Sequence, residues 1–212
     1  MKLYIYQHCP FCLRVVLLRG LKQLDLPVQV VLENDVDTPT RLIGRKKVPI
    51  LQKADGSAMP ESMDIVRYLD AQFAPPLLTA AERPEIDAWS ERASGLIFRL
   101  AVPRITCGDF AELATPEARA AYIEREIRAF GDLEALLAAT PEMLAELAPL
   151  LDELDDLIPP PDSALGESDI RLFPLLALLS IVKDARLPPR VATWYSTLST
   201  RSGLDDFSAQ AQ

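Results

Sequence analysis

A single histidine, His8, occurs in this chain, and only three cysteines do. That scarcity excludes a metal centre built on several imidazoles, and it excludes a disulfide framework, since an odd count leaves at least one thiol unpaired. Long apolar runs are missing too. "LFPLLALLSIV" is among the longest, and it is both too short for a bilayer and interrupted by proline. Cations are in deficit, with 22 Lys and Arg against 31 Asp and Glu, which argues against general nucleic-acid binding. The first residues lack the basic region and apolar run of a secretory leader. "KLYIY" already reads as a strand, so the expectation is a soluble, cytoplasmic protein with no membrane partner.

What is present points to two units. Hydrophobic residues make up 49% of the chain, enough for a substantial core. The net charge of −9 is uneven. Residues 1–75 carry 10 Lys and Arg against 8 Asp and Glu, a balance of +2, whereas residues 76–212 carry 12 against 23, a balance of −11.

Hydrophobic periodicity divides the chain at the same place. Residues 2–6 read as a strand. From Pro10 to Leu24, apolar residues recur at helical spacing, with proline suited to the first turn. "VQVVL" is a second strand. "TPTRLIG" is a short helix with Thr38 as its expected cap. "VPILQK" and the residues after "DGSAM" form a hairpin, and "ESMDIVRYLDAQF" is a helix that Ser62 is placed to cap. The order β-α-β-α-β-β-α over about 75 residues describes a small α/β unit. A linker at 76–83 follows, and residues 84–212 read as helical throughout. "TPE" at 115–117 and 140–142 marks two helix starts with threonine caps. The nearly all-apolar "SDIRLFPLLALLSIV" belongs at the centre of the helical unit.

Cys9 and Cys12 stand three apart in "HCPFC", just after the first strand. A zinc site needs about four ligands; only His8 is nearby and no second C-x-x-C exists, so no metal is expected. A structural disulfide closing so small a loop adds little stability. A redox pair fits the context. The first thiol at a helix N-terminus is favoured as thiolate by backbone N–H groups and the helix dipole, and the second lies one turn on, more shielded, where it can attack a mixed disulfide.

"CPFC" after "LYIY", "VP" at 48–49 and "ES" at 61–62 before a helix resemble the thioredoxin-like fold in its glutaredoxin form. With "TPTRLIG", "VPILQK", "MPESMDIV" and "DIRLFPLL" the resemblance extends over nearly the whole chain, to the bacterial two-domain glutaredoxin 2 family, built like a glutathione transferase. It implies a thioredoxin-like domain at 1–75, with a four-stranded mixed sheet and three helices, then an all-α domain at 84–212. It implies a glutathione-dependent thiol–disulfide oxidoreductase that reduces glutathione mixed disulfides and protein disulfides. Glutathione would be co-substrate, with no bound cofactor, and the protein would be a monomer.

The same resemblance makes Cys9 the nucleophile and Cys12 the resolving thiol, with Pro10 and Phe11 shaping the site between them. Pro49 would be cis, aiming the Val48 backbone at an extended peptide such as glutathione; on the residues alone, Val48–Pro49 reads as an ordinary start of a strand. Glu61 and Ser62 would hold the amine and carboxylate of the γ-glutamyl end, while Ser62 read by itself is a helix cap. Arg41, Arg45, Lys46 and Lys47 either attract the glycine carboxylate or form a solvated face. The effect of His8 on Cys9 is left open by sequence, because a strand neighbour often points away. Cys107 reads as a buried or incidental thiol. One departure from related folds is Gly166, where a hydroxyl cap usually precedes the acidic residue, here Asp169. The alternatives are a glutathione transferase, for which Tyr6 is the conceivable activating hydroxyl, and a non-enzymatic module of the same shape.

Overall fold

The computed structural model describes all 212 residues. Strand β1 (Lys2–Ile5), helix α1 (Pro10–Leu21), β2 (Val28–Val30), α2 (Asp37–Ile43), β3 (Ile50–Gln52), β4 (Ala58–Met59) and α3 (Ser62–Gln72) follow in the expected order. They build a four-stranded mixed sheet, ordered β2-β1-β3-β4. β1 and β2 run parallel, with Leu3 opposite Val28, because α1 provides the crossover that a parallel pair requires. β3 lies antiparallel to β1 and to β4. The β3–β4 hairpin closes where Lys53 N–H donates to Ser57 O and Gly56 takes φ +85°, a left-handed conformation suited to glycine.

From Pro84 onward the chain is helical: α4 (Pro84–Ile105), α5 (Pro116–Phe130), α6 (Leu133–Ala138), α7 (Thr140–Leu157), α8 (Glu167–Leu179) and α9 (Pro189–Ser202). α8 is the central element. From Ile170 to Leu179 only Arg171 escapes full burial, and the helix packs on α4 and on α1. A single apolar cluster runs from Leu3 through Trp89 and Phe173 to Phe207, so the sheet unit and the helical unit share one core. Gly20 makes part of this sharing possible. A β-carbon there would collide with the Ser202 backbone at the end of α9, so only glycine lets α1 and α9 approach this closely. No helix is long and apolar enough to cross a membrane.

Three helix starts differ from the sequence expectation. α2 begins at Asp37, and Thr38 does not cap it; instead Asp35 Oδ1 accepts from Thr38 N–H at 2.9 Å. Ser62 is the first residue of α3 and its hydroxyl makes no cap, accepting instead from Arg14 Nη1 at 3.3 Å. Thr115 does cap α5, accepting from Ala118 N–H at 3.1 Å. Thr140 does not cap α7. α6 runs almost directly into α7 through Ala139 (φ −82°, ψ 10°), so the chain never adopts the extended backbone of a cap.

At the start of α8, a side chain at Gly166 would be crowded by the linker. A β-carbon there would lie 3.1 Å from Ala80 O and 3.3 Å from Ala81 O. The linker presses directly on this turn, with Ala80 N–H donating to Leu165 O. The Gly166 N–H donates to Asp169 Oδ2 at 2.7 Å, and Arg83 Nη1 pairs with the same oxygen at 2.6 Å. A neighbouring set joins Arg67 of α3 to Glu167, and Arg171 to Asp87 of α4.

Candidate active site

Cys9 is the N-cap residue of α1, with extended backbone (φ −74°, ψ 120°), and Pro10 opens the helix behind it. The chain turns here because proline's fixed φ and missing N–H suit the first turn. Cys9 is partly exposed and Cys12 is 0% exposed; both are free thiols. Tyr6 N–H points at Cys12 Sγ from 3.4 Å.

The two thiols are driven apart in acidity. Cys9 is brought down to about 7, chiefly because the Cys12 thiol donates a hydrogen bond to it; burial opposes this, while the His8 charge and the N–H groups of Cys12 and Phe11 assist. Sequence reasoning credited the helix terminus alone, whereas the neighbouring thiol contributes more. Cys12 is pushed well above the usual thiol range, first by burial and then by its bond to Cys9 and the negative charge developing there. One thiol is thus partly ionised at neutral pH, while the other stays protonated.

Cys9 opens onto a cleft of about 430 Å³ between the two units. The sheet unit supplies His8 to Phe11 and Lys46 to Val48 as one wall; α4 supplies Phe98, Ala101, Val102 and Ile105, and α5 supplies Tyr122, Arg125, Glu126 and Phe130. Phe11 is 48% exposed at the rim, with the Arg14 guanidinium 4.8 Å from its ring centre. The Val48–Pro49 peptide is cis, and so is Ala74–Pro75, which sequence reasoning did not foresee. Val48 lies just outside β3, and its backbone N–H and C=O are not used by the sheet.

Glu61 and Ser62 flank this cleft rather than forming its wall. Glu61 takes φ +72°, a region that costs a residue with a side chain roughly 1–3 kcal/mol and that clusters at ligand clamps. Its carboxylate accepts from Lys47 Nζ at 2.6 Å and Arg45 Nη2 at 3.0 Å, and these cations hold it below the usual carboxylate range. Lys47 belongs to both the cleft wall and this pair. Lys46 turns the other way, to Glu33 at 3.2 Å. Arg41 is exposed in the last turn of α2, and Cys107 is exposed at the end of α4.

Sequence reasoning missed the α4 and α5 side of the site. It also missed Glu112, in a short 3-10 turn (Ala111–Leu113), which is 0% exposed and bound to His8. No local signal marks these residues, which are distant in sequence and adopt no motif. Tyr6 is buried beneath the site, and burial, followed by Glu33, pushes its phenol well above the ordinary value.

Residues 85–211 match the profile of the family described as "Glutaredoxin 2, C terminal domain", and residues 8–72 match "Glutathione S-transferase, N-terminal domain". Glutaredoxin 2 of Escherichia coli (strain K12) is 39% identical over 214 aligned positions that span the whole of both chains. This chain belongs to the glutaredoxin 2 family. The crystal structure of glutaredoxin 2 from Salmonella typhimurium in complex with glutathione superposes with a TM-score of 0.96 at 38% identity, covering 100% of this chain and 98% of that one. A glutathione transferase from Phanerochaete chrysosporium shares the fold, with a TM-score of 0.70 at 16% identity over 96% of this chain and 98% of its own. This chain therefore carries its Cys9–Cys12 turn on a transferase-like frame, and its activity is that of a glutaredoxin, an oxidoreductase.

Proposed function

We propose that the protein reduces glutathione mixed disulfides, and disulfides in proteins, through Cys9 and Cys12, with glutathione as reductant. The observation that carries this reading is the pair itself: a partly exposed thiol at the mouth of a cleft, brought down to about 7 and backed by a buried, protonated one. The Cys9 thiolate attacks the glutathione sulfur of a mixed disulfide. A Cys9–glutathione disulfide forms, and the substrate thiolate leaves and takes up a proton. A second glutathione thiolate then attacks the bound glutathione sulfur, giving glutathione disulfide and the free Cys9 thiolate. In the dithiol route Cys12 attacks the Cys9 sulfur instead, forming the Cys9–Cys12 disulfide and expelling the glutathione thiolate; two glutathione thiolates in succession then reopen that disulfide and leave as glutathione disulfide. Cys12 becomes ready for its attack once Cys9 is capped, because the bond to Cys9 and its negative charge, two of the influences that hold Cys12 protonated, are then gone.

Glutathione would lie along Val48, whose free backbone groups suit an extended peptide, with cis Pro49, Pro10 and Phe11 around the sulfur. Glu61 would meet the γ-glutamyl amine, and Ser62 with the first N–H groups of α3 would meet its carboxylate. The domains would be residues 1–75 and 84–212, joined by 76–83, acting as a monomer in a reducing cytoplasm where the thiols stay free. The transferase reading has less behind it: Tyr6, the hydroxyl considered for activating glutathione, is buried and held neutral, so it cannot act as the base.

The test is turnover of the mixed disulfide of glutathione and a small thiol, run beside conjugation of glutathione to a chloronitroarene. Glutathione-dependent reduction without conjugation is expected. Conjugation without reduction would replace this reading by the transferase one.

A further inference from the structure

His8 is 4% exposed and lies between the rings of Tyr6, Phe110 and Tyr122. Its Nδ1 is 2.6 Å from Glu112 Oε1, and its backbone N–H donates to the same oxygen at 3.0 Å. Glu112 comes from the helical unit, more than one hundred residues further along the chain, and is itself fully buried. The turn that bears it is stitched to the sheet unit by two more bonds, Glu33 N–H to Glu112 O at 2.9 Å and Ala111 N–H to Gln7 Oε1 at 2.7 Å. Its second oxygen, Oε2, has no partner. A buried carboxylate in such a place is costly unless a cation faces it, and His8 is the one group in contact that can become one.

We propose that Glu112 is a positioning residue for the thiol chemistry: it fixes the His8 ring and holds a proton on it, so that a positive charge stands beside Cys9. The helical unit then does more than wall the cleft, because it supplies the counter-ion that charges the residue next to the nucleophile. This rests on the reading of Cys9 as nucleophile.

The surroundings agree with the charge balance. The other cations near the pair are already committed. Arg125 of α5 binds Glu33 and Glu126, and Lys46 also binds Glu33. Tyr6 and Tyr122 are both held neutral by burial, and Cys12 is held protonated. Burial raises the Glu112 carboxyl, but the His8 ring and the N–H groups of His8 and Gln7 reverse this and leave it below the usual carboxylate range. Glu112 by itself, being negative, disfavours a nearby thiolate. Its removal therefore has opposite signs in the two accounts. Acting alone, it would make Cys9 less acidic, and its loss would help ionisation. Acting through His8, its loss leaves a neutral imidazole and hinders ionisation.

Alkylation of Cys9 by iodoacetamide, followed by peptide mass spectrometry across pH with Cys12 left native, decides the matter. Glu112→Gln keeps an oxygen to accept from the His8 N–H but loses the charge. The midpoint of the Cys9 rate profile should rise by roughly one pH unit, leaving about a tenfold smaller thiolate fraction below pH 6. Glu112→Asp should retain a low midpoint. His8→Asn, which keeps the backbone bond to Glu112 and serves if Glu112→Gln does not fold, should raise the midpoint equally, and the double variant should go no further. An unchanged or lowered midpoint in folded Glu112→Gln or in His8→Asn would overturn the proposal, as would a fully additive double variant. A wild-type midpoint at the ordinary value of about 8.5 would overturn the parent assignment of Cys9 together with it.

Discussion

The sheet unit and the helical unit differ in what they bring to the same cleft. The sheet unit contributes Cys9, with Cys12 buried behind it, the cis Val48–Pro49 turn and the cations Lys46 and Lys47. The helical unit contributes no nucleophile there. It contributes Phe98, Val102 and Ile105 as an apolar wall, the oppositely charged Arg125 and Glu126, and the buried Glu112 under His8. Over their whole length the two units also differ in charge, +2 for residues 1–75 against −11 for residues 76–212. A short motif on one unit can carry the reacting atoms. Their environment, meaning dielectric, counter-ion and access, is set by the other.

Changes confined to the sheet unit's motif should therefore stop the chemistry with little effect on the fold, and changes at the joint should do the reverse. The largest effect is expected for Cys9→Ser, which should abolish mixed-disulfide turnover while leaving the thermal midpoint nearly unchanged, because a serine hydroxyl is not ionised at neutral pH. Substantial residual turnover would move the nucleophile elsewhere. At the joint, Arg83→Ala leaves Asp169, 1% exposed, without its cation. Denaturant titration should show a loss of about 3 kcal/mol, with Cys9 alkylation unaltered in the folded fraction.

Glu61→Gln lies between these cases, on the sheet unit but outside the thiol turn. If Glu61 binds the γ-glutamyl amine, calorimetric titration should show glutathione affinity falling by roughly 1.5–3 kcal/mol, and the Cys9 rate profile should not move. Unchanged affinity would leave Glu61 as the partner of Arg45 and Lys47 only.

The smallest effect is expected at Asp70, which ties α3 to the linker. Burial would raise its carboxyl, but Lys22 at 2.7 Å and the N–H groups of Leu77 and Leu78 outweigh this and hold it below the usual range. A depressed folded value contributes stability that is complete above the unfolded value near pH 4 and is lost as pH falls through the folded value. Asp70→Asn should cost about 1 kcal/mol at neutral pH, and its stability should fall less steeply than wild type between pH 4 and pH 2. Parallel acid limbs would show that Asp70 contributes nothing through its charge.

The element order, the sheet unit's outline and the Cys9–Cys12 turn were legible because they depend on neighbours in sequence: hydrophobic period, proline at a helix start, two thiols one turn apart. Local reasoning failed at two helix starts and where a distant element intervened. Ser62 is not a cap because the helix already begins at it, with Glu61 in the capping position, and Thr140 is not a cap because α6 delivers the chain already helical. Gly166 read as a departure from a hydroxyl cap, and the linker's Ala80 carbonyl, 3.1 Å from where a β-carbon would sit, crowds that position. His8 was undecided in sequence for the same reason. Its neighbours along the chain say nothing about Glu112, which reaches it only after the helical unit has folded against the sheet. The sequence by itself determined the family, the α/β-then-helical order and the Cys9–Cys12 turn at the start of α1, since short-range chemistry is written in short-range spacing. Tertiary structure alone decided the counter-ion, the apolar wall and the placement of Glu61 and Ser62, because charge, burial and steric room depend on which remote segments meet.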